Sequence, residues 1–198
     1  IGVGGKARLF WSGGTVYKWG TATSLSVARY DLGAAHVGNY ALFAAGIPAS
    51  GSNLKSVETY NASLTKGTAP DFTGANASGR AVGSQNSSYA LFLASDSTTY
   101  SYNNSLTVTK RATANATPVG NAPAVSFNNC ILFAGGYTAG VGKGICIFDS
   151  SLVYTQSGVY SNIMLDAAAT TVGNYVIFGG GRSARTDGNF YSTVEIYN

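Results

Sequence analysis

The fold turns on Asn39-Tyr40-Ala41-Leu42-Phe43-Ala44-Ala45-Gly46, with Ser56-Val57-Glu58-Thr59-Tyr60-Asn61 behind it. The first block returns as Ser88-Tyr89-Ala90-Leu91-Phe92-Leu93-Ala94, Asn129-Cys130-Ile131-Leu132-Phe133-Ala134-Gly135-Gly136 and Asn174-Tyr175-Val176-Ile177-Phe178-Gly179-Gly180-Gly181. A weaker copy is Lys6-Ala7-Arg8-Leu9-Phe10-Trp11, followed by Gly13-Gly14. The second block has partners at Val16–Gly20, Thr99–Asn103, Ile145–Asp149 and Val194–Asn198. Self-similarity at a fixed period is the signature of a repeat architecture.

The closing aromatics Trp19, Tyr60, Tyr102, Phe148 and Tyr197 lie 41, 42, 46 and 49 residues apart. That period is one four-stranded blade of roughly 40–50 residues. Strand a is the small-residue block Asp31–Gly38, paralleled by Asp166–Gly173. Strand b is the first block, apolar on both faces as a strand between neighbouring blades must be. Strand c is the second block, and strand d is Leu64-Thr65-Lys66, Leu106-Thr107-Val108 or Leu152-Val153-Tyr154. The expectation is an all-β single domain over 1–198: a five-bladed propeller of four-stranded antiparallel blades. The approximate repeats are 1–24, 25–67, 68–111, 112–155 and 156–198. The last unit stops after strand c, so ring closure needs another segment, or an outer edge stays open.

Composition agrees. Charged residues make up 10% and glycines number 26 of 198. Low charge with many Tyr, Val, Thr, Gly and Asn suits strands joined by tight turns. The net charge of +4 is small and scattered. Lys110-Arg111 is the one adjacent basic pair, so no nucleic-acid partner is expected. No apolar run approaches the ~18–20 residues that span a bilayer, so no membrane insertion is expected. The chain opens on Ile1-Gly2-Val3 with no Met and no visible signal peptide, as a mature product or an excised C-terminal piece would. Two cysteines, Cys130 and Cys146, cannot build a zinc site alone. They are either a disulfide or two buried thiols on neighbouring strands, and no cofactor is expected.

Antiparallel strands put the a–b and c–d turns at one end of the units and the b–c and d–a connections at the other. The first set is uniform: Val37-Gly38-Asn39, Phe127-Asn128-Asn129 and Val172-Gly173-Asn174, then Asn61-Ala62-Ser63, Asn103-Asn104-Ser105 and Asp149-Ser150-Ser151. Asn, Asp, Ser and Gly are turn formers. The b–c connections Ile47–Asn53, Ser95–Ser97, Tyr137–Gly142 and Arg182–Tyr191 differ, as do the d–a segments Thr68–Ser78 and Ala112–Pro123. Varied loops on a rigid frame are where binding residues collect. The expected ligand-binding residues are therefore Arg182, Arg185, Asp187, Asn189, Tyr191, Tyr137, Asp96 and Asp71. Guanidiniums, carboxylates, amides and aromatics in that mix suit a sugar or an acidic partner.

Comparing the copies argues against catalysis. Of eight carboxylates, Asp31 pairs with Asp166 in repeat position, Glu58 pairs with Glu195, and Asp149 replaces a turn asparagine. Asp71, Asp96 and Asp187 remain, and nothing in their spacing singles out a glycosidase pair. The only histidine, His36, aligns with Thr171 and is expected to be a packed core residue. No G-x-S-x-G elbow occurs, and Gly2–Gly5 does not join a strand to a helix as a phosphate loop does. N-x-S/T sequons stand at Asn61, Asn76, Asn86, Asn103 and Asn115; those at Asn61 and Asn103 are explained by the repeated turn.

The repeat resembles the Kelch repeat: an apolar strand ending in a glycine doublet, then a strand closing on an aromatic. The doublet is intact at Gly135-Gly136 and Gly180-Gly181, reduced to Ala45-Gly46 and degraded to Ala94-Ser95. The family's Trp in strand d is missing throughout. A single histidine also departs from the copper site of Kelch-fold oxidases. Ile1–Trp11 and Leu25–Leu32 resemble segments near the C-termini of tail and structural proteins of phages and prophages of Firmicutes. That resemblance implies a virion or cell-surface appendage, with other appendage subunits and a surface glycan or protein as partners. The expected role is a non-enzymatic recognition module; a purely structural virion domain and a glycosidase-like hydrolase are the alternatives.

Overall fold

The computed structural model describes residues 20–74, 79–111, 122–135, 144–159, 165–183 and 189–198. Every regular element among them is a strand, and no helix is long and apolar enough to cross a membrane. The first described unit holds β1 (Arg29–Tyr30), β2 (Gly33–Val37), β3 (Tyr40–Ala44), β4 (Ile47–Pro48), β5 (Val57–Asn61) and β6 (Lys66–Ala69). The second holds β7 (Ala81–Gln85), β8 (Ala90–Ala94), β9 (Thr99–Tyr102) and β10 (Val108–Arg111). The third holds β11 (Ala124–Phe127), β12 (Cys130–Ala134), β13 (Gly144–Phe148) and β14 (Tyr154–Val159). The fourth holds β15 (Ala168–Val172), β16 (Tyr175–Gly179) and β17 (Val194–Tyr197).

These strands form five antiparallel sheets of two to four strands. Three have the expected order a-b-c-d: β2-β3-β5-β6, β7-β8-β9-β10 and β11-β12-β13-β14. The fourth is β15-β16-β17, one strand short, as the sequence implies. The fifth sheet is not a further blade. It is a ribbon of β1 against β4, pairing Arg29 with Pro48 and Tyr30 with Ile47. The expected first repeat, 1–24, lies outside the described residues except for 20–24.

The inner strands pack in succession, β2 on β7, β7 on β11 and β11 on β15. The approach of β2 and β7 is close enough to require glycine at position 83. A Cβ there would meet the Ala34 carbonyl oxygen at 2.5 Å and the Phe92 ring at 2.7 Å. Three apolar clusters fill the spaces between successive sheets. Leu42, Phe72, Phe92 and Tyr102 meet in the first, Leu91, Leu93, Ile131 and Phe148 in the second, and Leu132, Ile145, Val176 and Phe178 in the third. β8 and β12 thus contribute alternate residues to two clusters, and β8 is buried along its whole length. The last sheet faces the third cluster with Val176, Phe178 and Tyr197, while Val172, Val194 and Ile196 are exposed.

The glycine doublet has a backbone cause. Its first residue sits at positive φ, 59° at Ala45, 68° at Gly135 and 73° at Gly180. Its amide then donates to a carbonyl at the start of strand c, that of Ser56, Gly144 or Thr193, at 3.0–3.1 Å. An alanine pays steric strain there that glycine does not. The second unit dispenses with the arrangement. Ala94 bonds Thr98 directly (2.9 Å), and Ser97 takes the positive φ of a tight hairpin.

Strand d begins later than the sequence suggests. Leu64, Leu106 and Leu152 are turn residues at φ 59°, 58° and 61°, and pairing starts at Lys66, Val108 and Tyr154. All three c–d turns are the same object. The Oδ1 of Asn61, Asn103 or Asp149 accepts two amides, two and four residues on, at 2.8–3.0 Å. The leucine amide donates back to the carbonyl of that Asn or Asp at 2.8–2.9 Å. Leucine is expensive in the left-handed region, of order 1 kcal/mol. Leu152 is buried in the second cluster and Leu106 packs on the first, which offsets the cost; Leu64 is 63% exposed. The a–b turns are less uniform than the sequence suggests. Gly38 and Gly173 take positive φ, Asn128 and Asn129 both do, and the second unit uses Asn86, whose Oδ1 accepts the amides of Ser88 and Tyr89.

Cys130 and Cys146 are free thiols on adjacent strands β12 and β13, out of register with each other. Burial pushes the Cys146 thiol up to about 11, against a hydrogen bond to Tyr154 that lowers it, so it stays protonated near neutrality.

Candidate functional site

At the b–c end, the expected site residues are only partly gathered. Arg182 bridges Leu165 and Phe190 through its backbone. Its guanidinium holds Asp166 at 2.7–2.8 Å, both side chains about one-third exposed. Asp166 and Asp31 occupy the same repeat position, both at positive φ, and both pair with arginine. Arg80 Nε lies 2.5 Å from Asp31. Asn189 is exposed, and its amide donates to Ser183 Oγ at 2.9 Å. Tyr191 is half-buried, with its amide on the Gly181 carbonyl at 2.9 Å. Phe190, absent from the expected set, is the most exposed large apolar side chain of the stretch at 84%. Arg185, Asp187 and Tyr137 lie outside the described residues.

Asp96 and Asp71 flank a different feature. Asp96 Oδ1 accepts the Thr98 amide at 3.0 Å, the duty of a turn residue. Asp71 is exposed on the segment between β6 and β7. That segment is no free loop, because Phe72 is 2% exposed and stacks on Tyr100, centroids 4.4 Å apart. Gly74 donates its amide to the Tyr100 hydroxyl (2.8 Å), and Tyr102 donates its hydroxyl to the Pro70 carbonyl (2.6 Å). Burial first, then the neighbouring Asp96, pushes the Tyr100 hydroxyl up; burial first, then Asp71, does the same to Tyr102. Both tyrosines are neutral donors and acceptors at any physiological pH.

The same strap occurs one unit earlier. The Tyr60 hydroxyl, at the position equivalent to Tyr102, donates to the Thr23 carbonyl. Glu58, equivalent to Tyr100, accepts from the Ser26 amide and hydroxyl at 2.9–3.2 Å. The Glu58 carboxylate is 3% exposed and ion-paired to Arg29 and to Lys66, the latter at 2.6 Å. Burial raises its pKa, but the Lys66 ammonium, the Ser26 donors and Arg29 together hold it below the usual value. So the two described d–a segments each lie across strand c of the next unit, an interaction with no signature in residue type. Position 58 or 100 offers only a hydrogen-bonding side chain.

The open concavities described lie at the opposite end. One, of about 390 Å³, is lined by Gly38, Tyr40, Asn61, Ser63 and Asn104. The other, of about 330 Å³, is lined by His36, Gln85, Asn86, Ser126, Phe127 and Asn129 among others. This corrects the expectation for His36, which is exposed on β2, not packed in the core. The ladders place His36 opposite Ala41, Gln85 opposite Ala90, Ser126 opposite Ile131 and Thr171 opposite Val176. These four are one repeat position, and all four are polar. Polar residues in every copy could have shown from sequence that this is not a core site.

No group of three or more metal-ligating side chains occurs among the described residues. No family model matches the chain, and no curated protein matches it either.

Proposed function

We propose that the chain is a five-bladed, Kelch-like propeller acting as a non-enzymatic recognition module of a phage tail or bacterial surface appendage. Its ligand is a cell-surface glycan or protein, met through the b–c and d–a connections. The observation that carries this reading is the contrast between ends. The c–d turns repeat bond for bond, while the b–c connections are a ribbon, a tight hairpin and the 182–191 stretch. A frame that is held constant while its loops diverge suits recognition.

Two features support the fifth blade. Residues 23–26 lie across β5 as Pro70–Gly74 lie across β9, the strap a preceding unit would send. The exposed face with Val172, Val194 and Ile196 is the surface on which a further blade would pack. Repeat 1–24 is the candidate for that blade.

Glycan-array screening and pull-down from host cell surfaces test the function. The expected result is a saturable ligand whose binding falls on substituting the 182–191 stretch. Silence in both assays, with unchanged host attachment after deletion of the domain, would overturn it.

A further inference from the structure

We propose that the 330 Å³ concavity around His36, Gln85 and Ser126 is a second binding site, for a neutral saccharide unit. It lies at the a–b end, away from the loops assigned above, and stands or falls independently of them.

Three consecutive units place the same repeat position in this concavity: His36 from β2, Gln85 from β7 and Ser126 from β11. Its volume is at the small end of ligand sites. No Asp, Glu, Lys or Arg lines it. An imidazole, amides and hydroxyls can each donate and accept, which matches sugar hydroxyls, which do both. A charged ligand would find no counter-ion there. Phe127 also borders it, with its side chain packed against the third apolar cluster.

The rim is held by hydrogen bonds. The Ser87 amide donates to Asn129 Oδ1 at 2.9 Å, Asn86 Nδ2 reaches the Ser150 carbonyl at 3.5 Å, and Ser126 Oγ donates to the Gln85 carbonyl. The His36 ring and the Gln85 side-chain amide make no hydrogen bond to a described residue. A fixed rim loses little on ordering when a ligand arrives.

His36 is the only histidine, so its ring resonances report on this site alone. The experiment titrates the protein with the methyl glycosides of glucose, galactose, rhamnose and N-acetylglucosamine while following those resonances. At least one should give a saturable shift. Gln85→Ala should weaken it by about tenfold, the worth of one good hydrogen bond, while Arg182→Ala leaves it unchanged. Gln85 is half-exposed, and circular dichroism checks that its variant folds. No saturable shift with any of the four sugars overturns the site. So does sugar binding that leaves His36 unmoved or Gln85→Ala unaffected.

Discussion

The two ends of the units solve the problem of turning the chain on different terms. At the c–d end, Asn61, Asn103 and Asp149 each gather two amides on one oxygen, and a leucine follows at positive φ. At the b–c end, the equivalent place is a ribbon, a hairpin at Asp96 or a loop carrying the Arg182–Asp166 pair. Repetition here marks what the backbone requires. It does not mark what solvent or a ligand fails to reach, since two open concavities among the described residues lie at the repeated end. The two described d–a segments complicate the division further, being varied in sequence yet fixed in position.

That last point gives the largest expected effect. Phe72→Ala removes a fully packed ring from a segment that sequence alone groups with the free loops, and should cost about 3–5 kcal/mol in urea unfolding. A cost below about 1 kcal/mol, typical of an exposed site, would return the segment to the loops. Glu58→Gln tests the earlier strap. It leaves Arg29 and Lys66 facing a neutral amide in a buried place, a loss of about 3 kcal/mol. The pH dependence has a definite sign. With its folded pKa below the ordinary 4.5, Glu58 contributes stability above that value and loses it as pH falls through the folded pKa. The wild type should therefore weaken in acid by a component that Glu58→Gln lacks, as equilibrium unfolding between pH 3 and 6 would reveal.

Smaller effects compare the turns directly. Asn103→Ala strips the acceptor from two amides and should cost about 1–2 kcal/mol; Asp96→Ala strips one and should cost about half as much. Equal losses in thermal melts would mean the repeated turn has no special standing. The finest distinction lies within the repeated set. Leu64→Gly relieves a strained, exposed residue and should stabilise by about 0.5–1 kcal/mol. Leu152→Gly relieves the same strain but empties a packed position, so it should destabilise by about 1 kcal/mol. The same sign for both would show that burial does not decide the cost of this φ.

Strands a, b and c were legible because period and burial leave marks on residue type: Leu91-Phe92-Leu93 is apolar on both faces because both faces meet a core. The turn role of Asp149 was legible from its place among asparagines. The start of strand d was not, because a leucine signals a strand by propensity while these three are held at positive φ by a hairpin. The β1–β4 ribbon escaped notice because two residue pairs carry no periodicity. The exposure of His36 shows in sequence only through its further counterparts Gln85 and Ser126, which with Thr171 make the position polar in every copy. Of the expected site, the Arg182–Asp166 pair could not be seen in advance, since a loop arginine and a turn aspartate are distant in sequence and ordinary in type.

The straps also set an order of events for a chain leaving the ribosome. Pro70 and Gly74 cannot find their hydroxyl partners until Tyr100 and Tyr102 emerge, 26–32 residues later, and Thr23 waits 37 residues for Tyr60. Closing loops of that length is fast compared with synthesis. At these two junctions a unit is therefore completed by its successor, and its tail stays loose at the growing end until that successor's strand c has been made.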